Sequence, residues 1–139
     1  MLVVEPDPDR RALAGSTSAD PASAVTAVRA LTDGRGADVV VECAGAPAVS
    51  LCRVGGTVVL VGVSPEPATF PTMDVVLGEK RVVGSVSHRW DTDLTAAVAL
   101  LHSGHVRVDH LPTRTVALAE VATVLAAPPG NVVKTIVAV

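Results

Sequence analysis

The chain has 139 residues, of which 49% are hydrophobic and only 1% aromatic, and its net charge is −3. This length suits one domain, and the scarcity of aromatic residues predicts a core of valine, leucine and alanine. The negative charge argues against nucleic acid and anionic membranes as partners, and no apolar stretch is long enough to span a bilayer. Neither cysteine lies in a C-x-x-C pair, so we expect no disulfide framework and a cytoplasmic location.

The first half of the chain predicts three strands joined by short helices. The strands are runs of valine and other apolar residues, typical of strands buried on both faces, at residues 2–5, 39–43 and 57–63. A short helix is expected over residues 8–14. Asp20 followed by Pro21 predicts the start of a second helix, because aspartate caps a helix N-terminus and proline is tolerated in the first turn. Residues 45–56 leave room for at most two helical turns.

The second half of the chain continues this alternation. A proline-rich loop precedes a predicted short helix at residues 73–78. Further strands are predicted at residues 81–87, 113–118 and 132–139, and further helices at residues 93–103 and 118–127. Because strands alternate with helices along the whole chain, the sequence predicts an α/β fold with a mainly parallel sheet.

Four stretches in a fixed order carry a resemblance: GRGADVVVECAGAP, LCRVGGTVVLVGVSPEP, KRVVGSVSHRWDTDLTAAVALLHSGHVRVDHLPTRTVALAEVATVL and VVKTIVAV. Together they resemble the nucleotide-binding half of the medium-chain dehydrogenases, the zinc-dependent alcohol and polyol dehydrogenase family. The resemblance covers nearly the whole chain and is closest to the NAD-dependent alcohol, butanediol and sorbitol dehydrogenase branch. It implies an incomplete Rossmann-like, doubly wound sheet over residues 1–110. Residues 111–139 match a segment that returns to the catalytic domain in the family.

The resemblance also implies a set of cofactor contacts, because a Rossmann sheet binds its ligand beyond the carboxyl ends of the strands. Glu5 matches the acidic residue that holds the adenine ribose and favours NAD over NADP. Arg10 and Arg11 follow it and could stack on adenine or tolerate a phosphate, while Lys134 matches a basic residue that reaches the pyrophosphate. Backbone contacts are implied at the ends of the next three strands, at Cys43, Ala44, Gly45, Val61, Gly62, Val63, Ser85, Val86 and Ser87.

The residues alone leave plainer interpretations open. Glu5 and Lys134 could be solvated strand charges, Gly45 an ordinary turn glycine, and Val61 a core residue. Residues 81–87 match the strand that forms the dimer edge in the family, so a homodimer through this edge is a possible partner arrangement. Trp90 follows that strand and could lie at a dimer surface or in a substrate cleft.

Several features of the family have no counterpart in this sequence. The chain has no G-x-G-x-x-G fingerprint and no set of catalytic zinc ligands, so we expect no catalytic or metal residues and weak or absent NAD binding. His102, His105 and His110 are interpreted as solvent-facing, close to a helix end. Residues 15–23 replace a short strand of the family, and residues 113–118 and 132–139 are expected to lack their family neighbours.

Three hypotheses follow from these gaps. The chain could be a truncated dehydrogenase, one part of a split dehydrogenase completed by a catalytic chain, or a non-catalytic binding or dimerisation module.

Overall fold

The computed structural model describes residues 1–14, 17–46, 48–86, 89–127 and 132–139. The predicted α/β class is confirmed, with mainly parallel sheets. In chain order the elements are β1 (Val3–Val4), α1 (Pro8–Leu13), β2 (Ser18–Ala19), α2 (Ala24–Ala30), β3 (Ala37–Glu42), β4 (Cys52–Leu60), α3 (Thr72–Val76), β5 (Arg81–Gly84), α4 (Thr95–His102), β6 (Thr113–Ala117), α5 (Val121–Ala126) and β7 (Lys134–Ala138). Short 3-10 helices span Val49–Leu51 and Leu118–Glu120, and a π-helical turn spans Trp90–Leu94.

These elements belong to two compact units. The sheet unit comprises residues 1–6 and 17–87, and the C-terminal unit comprises residues 7–16 and 88–139. The predicted division after residue 110 concerns correspondence to the family's domains, and it stays a prediction.

The sheet unit is built on three parallel strands in the order β3-β4-β5. Their register aligns Val40 with Val58 and Val58 with Val82, so β4 lies in the middle, and the side chain of Val58 is completely buried. The 3-10 helix at Val49–Leu51 contacts α2, β3 and β4 and buries Val49 to 2% exposure. This single turn is the short crossover that the sequence predicts for residues 45–56.

A second, two-stranded parallel pair in the sheet unit joins β1 to β2. The expectation that the short strand of the family is replaced here is therefore wrong, because Ser18 and Ala19 pair with Val3 and Val4. After β2, the Asp20 carboxylate accepts hydrogen bonds from the Ala22 and Ser23 amides at 2.9 and 3.1 Å. These bonds form the turn before α2, and the predicted helix start is thus delayed by about one turn.

The C-terminal unit centres on the parallel pair β6 and β7, with α5 between them in the chain. Their register runs from Thr113 opposite Lys134 to Ala117 opposite Ala138. The two segments that were expected to lack their family neighbours pair with each other. Helix α1 also belongs to this unit, and the Asp7 carboxylate caps it by accepting from the Asp9 and Arg10 amides. Among the helices described, none is both long and apolar enough to cross a membrane.

Candidate functional site

The carboxyl ends of β3, β4 and β5 meet at one edge of the sheet because the three strands are parallel. The register places Glu42 beside Leu60 and Leu60 beside Gly84, which are the last residues of their strands. The Ser85 amide extends the ladder by donating to the Leu60 carbonyl at 2.9 Å. Most of the predicted backbone contacts are thus brought together at this carboxyl edge: Cys43, Ala44, Gly45, Val61, Gly62, Val63, Ser85 and Val86. Ser87 lies outside the described residues.

Glu42 organises the carboxyl edge, and sequence reasoning missed it. Its side chain is buried, at 6% exposure, and Oε1 accepts hydrogen bonds from the Ala44 amide at 2.5 Å and the Ala46 amide at 3.1 Å. Its backbone carbonyl accepts from the amides of Val61 and Gly62 at 2.8 and 2.9 Å. One residue therefore fixes both the turn after β3 and the end of β4. The signal in the sequence was a carboxylate inside an apolar strand, since buried acids are rare unless they have partners.

Two glycines at the carboxyl edge are required by the protein's own packing. A Cβ on Gly62 would lie 2.5 Å from the Ala44 nitrogen and 2.6 Å from the Cys43 carbonyl carbon. Gly45 has a φ of +74°, and a Cβ there would lie 2.6 Å from the Ser64 Cβ. The turn after β3 thus rests directly on the chain that leaves β4. These contacts account for the glycines without a ligand, so their role in cofactor binding stays a prediction.

The outer surface of the carboxyl edge is apolar and open. Val61, Val63 and Val86 are 44%, 94% and 77% exposed, and the Cys43 side chain is exposed as well. An apolar surface of this kind, close to exposed backbone, suits a flat ring held by main-chain hydrogen bonds. The Glu42 carboxylate already accepts two amide hydrogen bonds, so the edge is equipped to bind and orient a ligand more than to transfer a proton.

The remaining predicted residues are divided between the two units. Glu5 directly follows β1 in the sheet unit, is half-buried, and its amide donates to the Ala19 carbonyl at 3.0 Å. Arg10 and Arg11 lie in α1, and Lys134 is the exposed first residue of β7, all three in the C-terminal unit. Trp90 begins the π-helical turn and is 72% exposed.

The buried thiol of the sheet unit belongs to the core. Cys52 is 4% exposed, and this burial raises the pKa of its thiol, with the positive charges of Lys80 and Arg53 opposing the rise. Arg53 is itself held by an ion pair, with its Nε 2.6 Å from Asp38 Oδ1, and this hydrogen bond lowers the pKa of Asp38. We therefore assign Cys52 to the core and not to chemistry.

In the described part of the chain, no cluster of three or more histidine, cysteine, aspartate or glutamate side chains is placed to hold a metal ion. His102 ends α4 and is exposed, and the Nδ1 of His105 is 2.7 Å from Ser103 Oγ. The described residues do not fit a zinc centre. Because His88 lies outside the described residues, the absence of zinc ligands from the whole chain stays a prediction.

Comparison with known proteins identifies the family. The family profile described as zinc-binding dehydrogenase matches residues 2–103. The chain belongs to the zinc-binding dehydrogenases. The predicted resemblance is therefore confirmed, and the matched stretch contains β1 to β5 with the whole carboxyl edge.

Relatives of this zinc-binding dehydrogenase chain are much longer proteins. It is 40% identical over 95 residues to a protein of Rhizobium meliloti (strain 1021) named as a D-xylulose reductase, covering 65% of the chain and 27% of the relative. It is 36% identical over 118 residues to sorbitol dehydrogenase 1 of Saccharomyces cerevisiae, covering 79% and 33%. The chain thus spans about a quarter to a third of these relatives.

A solved structure supports the same assignment at the level of the fold. A protein of Sinorhizobium meliloti 1021, described as a zinc-binding dehydrogenase and crystallised with NADP, superimposes with a TM-score of 0.81 at 29% identity. The match covers 98% of this chain and 44% of that one. The oxidoreductase family and the Rossmann-like arrangement are thereby established for the chain.

Proposed function

We propose that the chain is the NAD-binding part of an alcohol or polyol dehydrogenase and is not catalytic by itself. The observation that carries the proposal is the carboxyl edge, where the turn after β3 and the ends of β4 and β5 present backbone and apolar surface together. Parallel sheets bind nucleotides at this edge. When bound, the cofactor would accept or donate a hydride, and the residues of this chain would hold and orient it.

The preferred cofactor in this proposal is NAD. Glu5 directly follows β1, where a carboxylate can accept hydrogen bonds from the two ribose hydroxyls and repels a 2′-phosphate. NADP is the competing cofactor, because Arg10 and Arg11 follow within a few residues and a related structure contains NADP. Replacing Glu5 by glutamine removes the repulsion, so the proposal expects Glu5→Gln to narrow any preference for NADH over NADPH.

We further propose that catalysis needs a catalytic part outside these 139 residues, supplied by a longer protein or a separate chain. Support comes from the described residues, which do not fit a zinc centre. A zinc ion in that other part would polarise the alcohol oxygen. The cytoplasmic location predicted from the sequence is part of the same proposal.

The proposal is tested by mapping NADH on the full chain with amide chemical shifts. Binding is expected to be weak, with a Kd of about 1 mM or more, which corresponds to about 4 kcal/mol or less. Shifts should concentrate at residues 43–46, 61–63 and 85–86. Two matched variants distinguish specific from diffuse binding. Val63→Asp at the edge should weaken NADH binding, whereas Val54→Asp at the opposite end of β4 should not. Shifts confined to the C-terminal unit, or equal losses in both variants, would contradict the proposal.

A second candidate function, a dimerisation module, is favoured by the position of β5. This strand lies at the border of the three-stranded sheet, and Val83 is 42% exposed. Open strand edges pair readily with a second copy, so we propose a homodimer through residues 81–87. Light scattering during size-exclusion chromatography should give the mass of a dimer, and Val83→Lys should give a monomer. A wild-type monomer at 0.1 mM, about the concentration of such a run, would exclude this arrangement as a stable one.

A further inference from the structure

The C-terminal unit contains a cavity of about 380 Å³ on one face of the β6–β7 pair. Residues two apart in a strand share a face, so Arg114 and Val116 of β6 lie beside Thr135 and Val137 of β7. Helix α5 forms another part of the wall, and Arg10 of α1 also lines the cavity. None of the carboxyl-edge residues of the sheet unit takes part.

Two half-buried arginines in this wall each have a buried Nε without a partner. The Nε atoms of Arg10 and Arg114 are both buried, and neither has a hydrogen-bond partner among the described residues. Arg114 Nη2 reaches Thr135 Oγ1 only at 3.5 Å, the outer limit for a hydrogen bond. The lining contains no aspartate or glutamate. Buried N–H groups are normally hydrogen-bonded, so each Nε has a free donor that an anion in the cavity could accept from.

We propose that this cavity binds a small amphiphilic carboxylate, with its head group between Arg10 and Arg114 and its apolar chain against the valines of the wall. Guanidinium groups match the geometry of a carboxylate and can hold it through two parallel hydrogen bonds. The rest of the lining is valine, leucine and alanine apart from Thr135, which suits a hydrocarbon chain. The volume falls within the range of about 300–1,000 Å³ that is usual for small-molecule sites.

The first experiment is calorimetric titration of the full chain at low ionic strength with sodium octanoate as the probe. Octan-1-ol and inorganic phosphate are titrated in parallel, because each presents one half of the proposed ligand. Octanoate should bind saturably and at least about tenfold more tightly than either, since each lacks one set of contacts. If octan-1-ol binds as tightly as octanoate, the cavity is only an apolar surface. If phosphate binds as tightly as octanoate, it is only an anion site. Either result overturns the proposal.

The second experiment removes one cation at a time. Arg114→Gln and Arg10→Gln should each weaken octanoate binding about tenfold or more, the effect of losing a charge-assisted hydrogen bond. Arg89→Gln is the matched control, because it makes the same charge change at an exposed residue of the same unit. If the cavity variants bind octanoate as Arg89→Gln does, the proposal is wrong. Arg114→Lys keeps the charge and should retain part of the affinity.

A third measurement separates ligand binding from a purely structural role of Arg114. A buried donor without a partner costs free energy, so replacing Arg114 with an apolar side chain of similar length favours folding. Arg114→Met should therefore raise the Tm of the free chain while it weakens octanoate binding. A lower Tm without ligand would make Arg114 a structural residue and overturn the proposal. Displacement of octanoate by NADH would assign the cavity to the cofactor surface, which would overturn it too, whereas unchanged octanoate binding supports a separate site.

Discussion

The sheet unit and the C-terminal unit differ in how much apolar surface they bury. The sheet unit contains nearly all of the buried apolar side chains among the described residues: Ala19, Ala24, Val28, Val49, Cys52 and Val58. In the described part of the C-terminal unit, Val116 is the only one. The sheet unit therefore has a core of its own, whereas the C-terminal unit depends more on the backbone pairing of β6 with β7.

Helix α4 makes the same contrast visible within one element. Its sequence TAAVALLH is strongly apolar, yet Val98, Leu100 and Leu101 are 56%, 47% and 47% exposed. Helices that are apolar on most sides are normally buried. Both units retain exposed apolar side chains, such as Val39 and Val41 in the sheet unit, but only the sheet unit has several buried ones among the described residues.

The largest effect is expected at Gly62 in the sheet unit. A Cβ there would lie within 2.6 Å of backbone atoms of Cys43 and Ala44, which cannot move without breaking the turn after β3. We expect Gly62→Ala to lower the free energy of unfolding by about 3 kcal/mol, measured by urea denaturation. Gly84→Ala is the control, because a Cβ on Gly84 meets nothing within 4 Å. Equal stability of the two variants would show that the turn is not tightly packed.

The next effect tests the core directly. Val58 is completely buried in β4, so Val58→Ala should cost about 2 kcal/mol through lost burial and the cavity left behind. Val98→Ala in α4 should change the free energy of unfolding by less than about 0.5 kcal/mol, because that side chain is largely exposed. If Val98→Ala costs as much as Val58→Ala, α4 is buried in solution and the contrast between the units disappears.

An effect of similar size is expected at Glu42. Glu42→Ala leaves the Ala44 and Ala46 amides without their acceptor, which should cost about 2 kcal/mol. Glu42→Gln keeps an oxygen in the same position and should cost about 1 kcal/mol. Hydrogen exchange of these two amides should accelerate in the alanine variant and less in the glutamine variant. Unchanged exchange in both would mean that the turn is fixed by other contacts.

The smallest effect concerns acid sensitivity. Hydrogen bonds from Ser23 lower the pKa of Asp20, and those from Arg53 and Arg107 lower the pKa of Asp38 and Asp109. A lowered folded-state pKa stabilises the fold above the ordinary value of 3.8, and this contribution is lost as the pH falls through the folded pKa.

We therefore expect the Tm to fall modestly when the pH is lowered below about 4, and Asp38→Asn to flatten part of that decline. Circular dichroism at a series of pH values measures it. Because both ion pairs are on the surface, high salt should weaken the effect. A Tm that rises on acidification would contradict the stabilising effect assigned to these ionised aspartates.

The sequence was sufficient to predict that most of the strands exist, but not where each strand begins and ends. Runs of valine correctly predicted β3 and β4, but the expectation that both faces of these strands are buried is wrong for β3, where Val39 and Val41 are 58% and 60% exposed. The limits of these strands are set by backbone pairing, and β4 therefore begins at Cys52, which pairs with Ala37, and ends at Leu60 instead of continuing to Val63. Strand β2 has only Ser18 and Ala19 and no apolar run, so nothing in its composition distinguishes it from a loop.

The candidate site was predictable in position but not in construction. Parallel strands bring their carboxyl ends together, so the family resemblance placed residues 43–45, 61–63 and 85–86 at one edge. The role of Glu42 depends on which amides of the following turn donate hydrogen bonds to its carboxylate. The order of residues alone does not predict that geometry. The pairing of β6 with β7 was missed for a related reason, because the resemblance supplied other neighbours for both.

The placement of α1 affects how the protein behaves after proteolytic cleavage. Residues 7–16 belong to the C-terminal unit although they lie between β1 and β2, which pair in the sheet unit. The polypeptide thus passes from one unit to the other three times, unlike domains strung one after another. A protease nick near residue 87 would leave α1 on the first fragment but packed with the second. Such a nicked protein would run as two bands on a denaturing gel while it still eluted as one particle.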